Sequence, residues 1–293
     1  MADPVNTISS FTYRNAYMSN RLQEILKTAV VAEKICRVDT TEALTLQNPY
    51  GSTPTASVTG LTGTYSVSNY TTTNDACTVA EQVAYGEHIF DFEKLLTNFD
   101  LFASRTDAIM YAMAKASDIW VLNVMCEAGT GTYSTPSGGF TTASNIVTIL
   151  ANLGSKFLGY AEAYNGLFLV IEAADTVGFT IAQLTNGFSY ADAAWRNGFM
   201  TSAAGFEIYV VPDGTFTTVA SADTTSGTQT WSNSGHRVAG VKNMVTYARP
   251  RGLIQGEKEV SGMTGKEIYG VGYIAAKVWT NIASLVIDIT ITS

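Results

Sequence analysis

The stretch DLFASRTDAIMYAMAKASDIWVLNVMCE, residues 100–127, carries the strongest helical signal in the chain. Phe102, Ile109, Met113, Ala116, Trp120 and Val124 recur at helical steps and make one apolar stripe, while Arg105, Asp107, Lys115 and Asp118 interrupt the other side. Asp100 is placed to cap the first turn, because a side-chain oxygen there can accept a free N–H, and Gly129 and Gly131 end the periodicity. No proline breaks the run. At 1.5 Å per residue the spacing predicts a rod of roughly 40 Å, more than twice the usual helix. Whatever the fold is, it is built around this rod.

Upstream of the rod the signals are weaker. Residues 1–14 have no clear period and are expected to be an extended arm; a helix is expected from Asn15 to Ala29, with Asn15 as cap and Leu22, Ile25, Leu26 and Ala29 on one face. From Val38 to His88 the chain is rich in Thr, Ser and Gly, with breaks at Asn48-Pro49, Gly51, Pro54, Gly60 and Gly63. Such a segment can be a disordered linker, but Tyr50, Val58, Leu61, Tyr65, Val67 and Tyr70 recur regularly and argue for strands, with Thr64 to Tyr70 in the second of two. A two-stranded excursion with so few large aliphatic residues cannot make its own core, so it must lie on something else.

Downstream, the charge-free loop Thr130 to Thr142 leads to a helix expected from Ser144 to Leu158, with Ile146, Leu150, Leu153 and Phe157 inward. Leu167 to Glu172 is a short, continuous apolar strand. Helices are expected at Ala174 to Leu184 and Tyr190 to Asn197, then a strand from Glu207 to Val211 stopped by Pro212. After a Thr/Ser/Gly loop, Ser221 to Gly235, come strands at Val238 to Ala248 and Glu267 to Lys277. In the last segment, Leu285, Ile287, Ile289 and Ile291 alternate with Asp288, Thr290 and Thr292, the period of a strand that closes a sheet. The class is α+β, and no internal repeat is visible.

Composition limits the function. Only 14% of the chain is Asp, Glu, Lys or Arg, against about 25% in ordinary soluble domains. No charged residue occurs from Ala43 to Asn74, from Ala128 to Ser155 or from Thr224 to Gly235. Surfaces of Ser, Thr, Asn, Gly and Tyr suit burial between subunits better than exposure on a monomer. A net charge of -8 without a Lys/Arg-rich run argues against tight nucleic-acid binding, though a neutral or acidic wall suits non-specific proximity to packaged DNA that must slide past. Cys36, Cys77 and Cys126 form no CxxC pair and are expected to be buried, reduced thiols. The N-terminal residues show neither a basic region nor an apolar stretch, and no apolar run approaches the roughly 18 residues of a membrane span, so no membrane partner is expected.

The order of parts resembles the Hong Kong 97-type capsid fold of tailed phages and encapsulins over nearly the whole chain. The similar wording is Gly166-Leu-Phe-Leu-Val-Ile171 before a helix, Arg196-Asn-Gly-Phe199, Gly205-Phe-Glu-Ile-Tyr-Val210, Gly270-Val-Gly-Tyr273 and Ala275-Ala-Lys-Val278. The resemblance implies an N-terminal arm and short helix (1–37), an extended two-stranded loop (38–88), a peripheral domain with its spine helix (89–143), an α/β axial domain (144–236) and strands returning to the peripheral domain (237–293). It implies a structural subunit assembling into pentamers and hexamers of an icosahedral shell around double-stranded DNA, made in the host cytoplasm and ending in the virion. The partners implied are copies of itself, a portal, and a separate scaffolding or decoration protein, since the fused scaffolding region of some members is missing here. No crosslinking motif is recognisable. The resemblance also marks subunit-interface candidates: Tyr50, Pro54, Tyr65 and Tyr70 on the loop, and Arg249, Arg251, Glu257, Lys258 and Glu259 as ion pairs beneath a neighbour's loop. For the latter set the residues alone allow a plain solvated turn.

Catalytic, metal and cofactor sites are not expected. His88 and His236 are far apart and neither has a His or Cys at ligand spacing. Gly129-Thr-Gly131 lacks a third glycine and follows a helix; Gly265-Lys266 is followed by Glu267, not by a hydroxyl; Gly187-Phe-Ser189-Tyr-Ala191 lacks the last glycine of a nucleophile elbow. The remaining readings are an encapsulin-like nanocompartment of the same fold and an extracellular adhesin or surface-layer module, for which the Thr/Ser-rich strands speak.

Overall fold

The computed structural model describes residues 30–56, 58, 60–61, 63–64, 67, 69–90, 101–186, 199–203, 205–219, 229–250, 254–259 and 264–292. The expected arm at 1–14, the helices at 15–29 and 190–197 and the capping Asp100 lie outside the described residues.

One turn of helix, α1 (Ala32–Ile35), precedes strands β1 (Arg37–Asp39), β2 (Thr45–Gly51), β3 (Thr72–Thr78) and β4 (Glu81–Ile89). The rod follows as α2 (Leu101–Ala128). Then come β5 (Gly131–Ser134), α3 (Ala143–Phe157), β6 (Leu167–Glu172), α4 (Thr176–Asn186), β7 (Phe199–Ala203) and β8 (Phe206–Val211). Short β9 (Thr218–Val219) and β10 (Trp231–Ser232) lead to β11 (His236–Val241), β12 (Val245–Ala248), β13 (Ile254–Glu259), β14 (Lys266–Val278) and β15 (Val286–Thr290).

The larger sheet has the order β5-β15-β11-β6-β8-β7. Its centre, β6, is buried at all six positions because both faces are covered. Leu167, Leu169 and Ile171 pack with Ile146, Ile149, Leu153 and Phe157 of α3 and Phe179 of α4. Phe168 and Val170 point the other way and join Trp120, Val121, Val124 and Met125 of α2. A sheet between two helical layers thus explains why the strand is an unbroken apolar run.

The second sheet is organised by β14. It pairs antiparallel with β12 at one end, and with both β13 and β4 at the other. Helix α2 lies across this sheet, burying Ile109 and Met113 on Ile268 and Ile89. The crossing needs a residue without a side chain. A Cβ on Gly270 would stand 2.3 Å from Met113 Sδ and 3.2 Å from Ile109 Cγ2. The rod therefore bridges the two sheets, its first part on β14 and β4 and its last turns in the main core.

Several expectations are corrected here. The strand that pairs back on Thr45–Gly51 is Thr72–Thr78, and β4 belongs to the sheet of β14. Val238 to Ala248 is two strands in different sheets, broken by a turn in which Asn243 has φ 63°. The last strand does not finish a sheet at an edge, because β15 lies between β5 and β11. The apolar stripe on α2 is too narrow a description: residues 120–126 are buried on every side. Asp118, read as part of the polar side, is buried as well.

Candidate assembly surfaces

Two regions hold the residues singled out from sequence. The first is the ribbon β2–β3, paired antiparallel from Thr45↔Thr78 to Gly51↔Thr72. Its root is packed: Cys77 lies with Ala248, Ala275 and Trp279, and Leu46 rests on them. Asp75 fixes the root to the rest of the chain, accepting from Thr280 N at 2.9 Å and Thr280 Oγ1 at 2.8 Å and pairing with Lys277 at 3.2 Å. Burial pushes the Asp75 carboxyl up, but those donors outweigh it and hold it below its ordinary range.

Beyond the root the ribbon touches little. Every described residue from Ser52 to Asn74 is exposed, with Val58 at 103% and Leu61 at 109% of the accessibility of a free residue. Pro54 and Tyr70 are exposed and Tyr50 is half-buried; Tyr65 lies outside the described residues. The ring of Tyr70 crosses the ribbon at Gly51, where a Cβ would meet its hydroxyl at 2.2 Å. Exposed apolar groups on a two-stranded ribbon have no driving force to stay in water. The geometry suits a limb that is covered by something outside its own chain.

The second region contains the charged residues. Glu257, Lys258 and Glu259 are exposed on β13, a strand and not the Gly-rich turn expected. The reading failed because no residue of this edge strand is buried in the chain, so no alternation marks it. Glu257 pairs with Lys266 at 2.8 Å on the neighbouring strand. Arg249 has a partner of its own: its guanidinium is engaged with Glu33 on α1 and lies 5.9 Å from the Tyr247 ring. Arg251 lies outside the described residues.

Polar groups that the sequence reading passed over hold the interior together. Arg237 on β11 is buried and bonds both Glu172, at 2.9 Å, and Asp175. Glu172 also accepts from Phe216 N, tying the loop after β8 to β6. Asn123, fully buried in α2, donates to Thr215 O and accepts from Thr217 N. The only signal for these in sequence is a charge closing an apolar run, as at Glu172. His236 Nδ1 lies 2.9 Å from Asp288. Among the described residues, no three His, Cys, Asp or Glu side chains are grouped to hold a metal ion. The three thiols are free and buried, and burial pushes Cys77 up to about 11 and raises Cys36 and Cys126 well above the ordinary thiol range, which makes them poor nucleophiles. No described helix is long and apolar enough to cross a membrane.

No family model and no curated protein matches the sequence. Solved structures do match. The capsid structure of cyanophage P-SCSP1u superposes with a TM-score of 0.72 at 14% identity, covering 96% of this chain and 94% of that one. The chain has the fold of phage capsid proteins. A structure from Mycobacterium phage Che8 has this capsid fold with a TM-score of 0.69 at 14% identity over 93% of this chain and 95% of the other. The mature capsid of bacteriophage PhiM1 gives 0.70 at 9% identity over 94% and 91%.

Proposed function

We propose that the chain is the major capsid protein of a tailed bacteriophage, a structural subunit that assembles into pentamers and hexamers of an icosahedral shell around double-stranded DNA. The observation that carries this reading is the ribbon from Ser52 to Asn74, exposed along its whole described length and bearing Val58, Leu61, Val67 and Tyr70. The capsid fold and the low charge agree with it. In the Hong Kong 97-type layout, residues 1–37 are the arm, 38–88 the extended loop, 89–143 the peripheral domain with α2 as spine, 144–236 the axial domain and 237–293 the returning strands. The ribbon lies over a neighbouring copy, with Tyr50, Pro54, Tyr65 and Tyr70 in the contact; Arg249, Arg251, Glu257, Lys258 and Glu259 face a neighbour's loop.

Cohesion then arises from many modest contacts per subunit, so that losing one subunit breaks several interfaces. The chain performs no chemistry of its own. Its further partners are a portal, a separate scaffolding or decoration protein, and packaged DNA met without sequence preference; it is assembled in the host cytoplasm and resides in the virion. Size-exclusion chromatography and negative-stain microscopy of the purified chain test this. Closed megadalton particles are expected, and a discrete 31.3 kDa species at high concentration overturns the reading. Enclosed enzymes in place of DNA in particles from the native source would identify a nanocompartment.

A further inference from the structure

The most unusual ionisable group in the described chain is Asp118. It sits 5% exposed in α2, and its Oδ1 accepts from the backbone N–H of both Val31, at 2.9 Å, and Ala32. These two bonds hold the start of α1, whose Ala32 and Ile35 are buried in the main core. Asp118 is thus the fastening point of the segment that enters the body at Val31.

The charge on this fastening has no bonded counter-ion among the described residues. The groups that face it are Glu33 and Lys34 on α1, Cys36 just beyond, Tyr247 on β12 and Arg249 just after it. Arg249 is already bonded to Glu33. Ser117, the polar neighbour on the same helix, donates to Met113 O. A cavity of about 10 Å³ is left between Val30, Glu33, Ser117, Asp118, Tyr247 and Arg249. That is room for about one water and for no further side chain. A buried carboxylate costs several kcal/mol unless it is paired or neutralised, and taking up a proton neutralises it.

We propose that Asp118 is a protonation-controlled latch on residues 31–35, closing when its carboxyl takes up a proton and loosening when it releases one. The proton goes to Oδ2, while Oδ1 continues to accept from Val31 and Ala32. The electrostatics agree in direction. Burial pushes the carboxyl up to about 6, Glu33 adds to that, and the two N–H groups and Lys34 pull the other way without cancelling it. With the segment undocked, the Asp118 carboxyl meets water and is an ordinary one near pH 3.9. The docked form therefore holds its proton more tightly, so docking is strongest below about pH 3.9, declines as pH rises towards about 6 and is flat above. This inference concerns regulation of one segment and does not depend on the shell reading.

The test is amide hydrogen exchange on the full-length chain, followed in peptides covering residues 30–36 and corrected for intrinsic exchange. Protection about tenfold higher at pH 5 than at pH 7.5 is expected, one unit of proton linkage, while Asp118→Asn, a fixed neutral analogue, is expected to show no such change. Equal protection at both pH values in the wild type, or the same pH profile in Asp118→Asn, overturns the latch. Should the variant fail to fold, carboxyl carbon NMR on the wild type decides: a titration midpoint near 6 for Asp118 supports the latch, and one near 4 overturns it.

Discussion

Asn233 Nδ2 donates to Asn123 Oδ1 at 3.1 Å and to Asn123 O at 3.0 Å, joining two residues 110 positions apart inside the core. Asn123 also accepts from Thr217 N and donates to Ile119 O and Thr215 O. One side chain thereby pins the 215–217 loop and the turn before β11 to α2. Replacing it by Leu leaves these groups unpaired in the interior, each at about 1–3 kcal/mol. Asn123→Leu is expected to lower subunit stability by about 3 kcal/mol in urea unfolding, whereas Asn152→Leu on the surface of α3 is expected to change it by less than about 0.5 kcal/mol.

Arg237 is the cation between two buried carboxylates. Arg237→Met strands Glu172 and Asp175 and is expected to cost about 3–5 kcal/mol at neutral pH. Thermal melts of the variant and the wild type at neutral pH read this.

Gly178 and Gly60 predict opposite outcomes for one substitution. A Cβ on Gly178 would lie 1.9 Å from Phe140 O, a backbone atom that cannot swing away, whereas nothing lies within 4 Å of one on Gly60. Gly178→Ala is expected to cost about 3 kcal/mol through separation of α4 from residues 139–141. Gly60→Ala is expected to leave subunit stability within about 0.5 kcal/mol.

Val58 and Leu61 contribute nothing to the isolated subunit, being wholly exposed. The pair Val58→Asp and Leu61→Asp should therefore leave its unfolding midpoint unchanged and abolish particle formation, scored by sedimentation. Normal particles from this variant, or from a deletion of residues 52–70, would remove the ribbon from the assembly mechanism.

Asp75 titrates with the opposite sign to Asp118. Its carboxyl is held below its ordinary range, so its hold on Thr280 is present above about pH 3.9 and lost as pH falls through the lower, folded value. Asp75→Ala should loosen the ribbon root at neutral pH, seen as faster exchange in residues 45–51 and 72–78 with α2 unaffected, and the difference from the wild type should shrink as pH falls below about 3.9.

The parts of the fold legible in sequence were those whose environment repeats along the chain. β6 is apolar at every position but its last because two helical layers enclose it, and α3 shows its one-sided burial as a stripe. Asp118 was misplaced because a helix wheel assigns a carboxylate to solvent; only tertiary structure brings it the N–H groups of Val31 and Ala32. The break at Asn243 carries no glycine or proline, so two strands were joined into one. On β13 the pattern Ile254-Gln-Gly-Glu-Lys-Glu259 has no buried face within its own chain, and hence no period to read. Nothing in the sequence links Arg249 to Glu33, more than 200 positions away; only tertiary structure brings that pair together.

The root of the ribbon has a mechanical meaning. Asp75 grips Thr280, and residues 280–285 run straight into β15, which lies between β5 and β11 in the larger sheet. A tug on the far tip is thus passed, through Asp75 and the packed root around Cys77, to a strand held on both sides by others. The limb is geared to the larger sheet at its root.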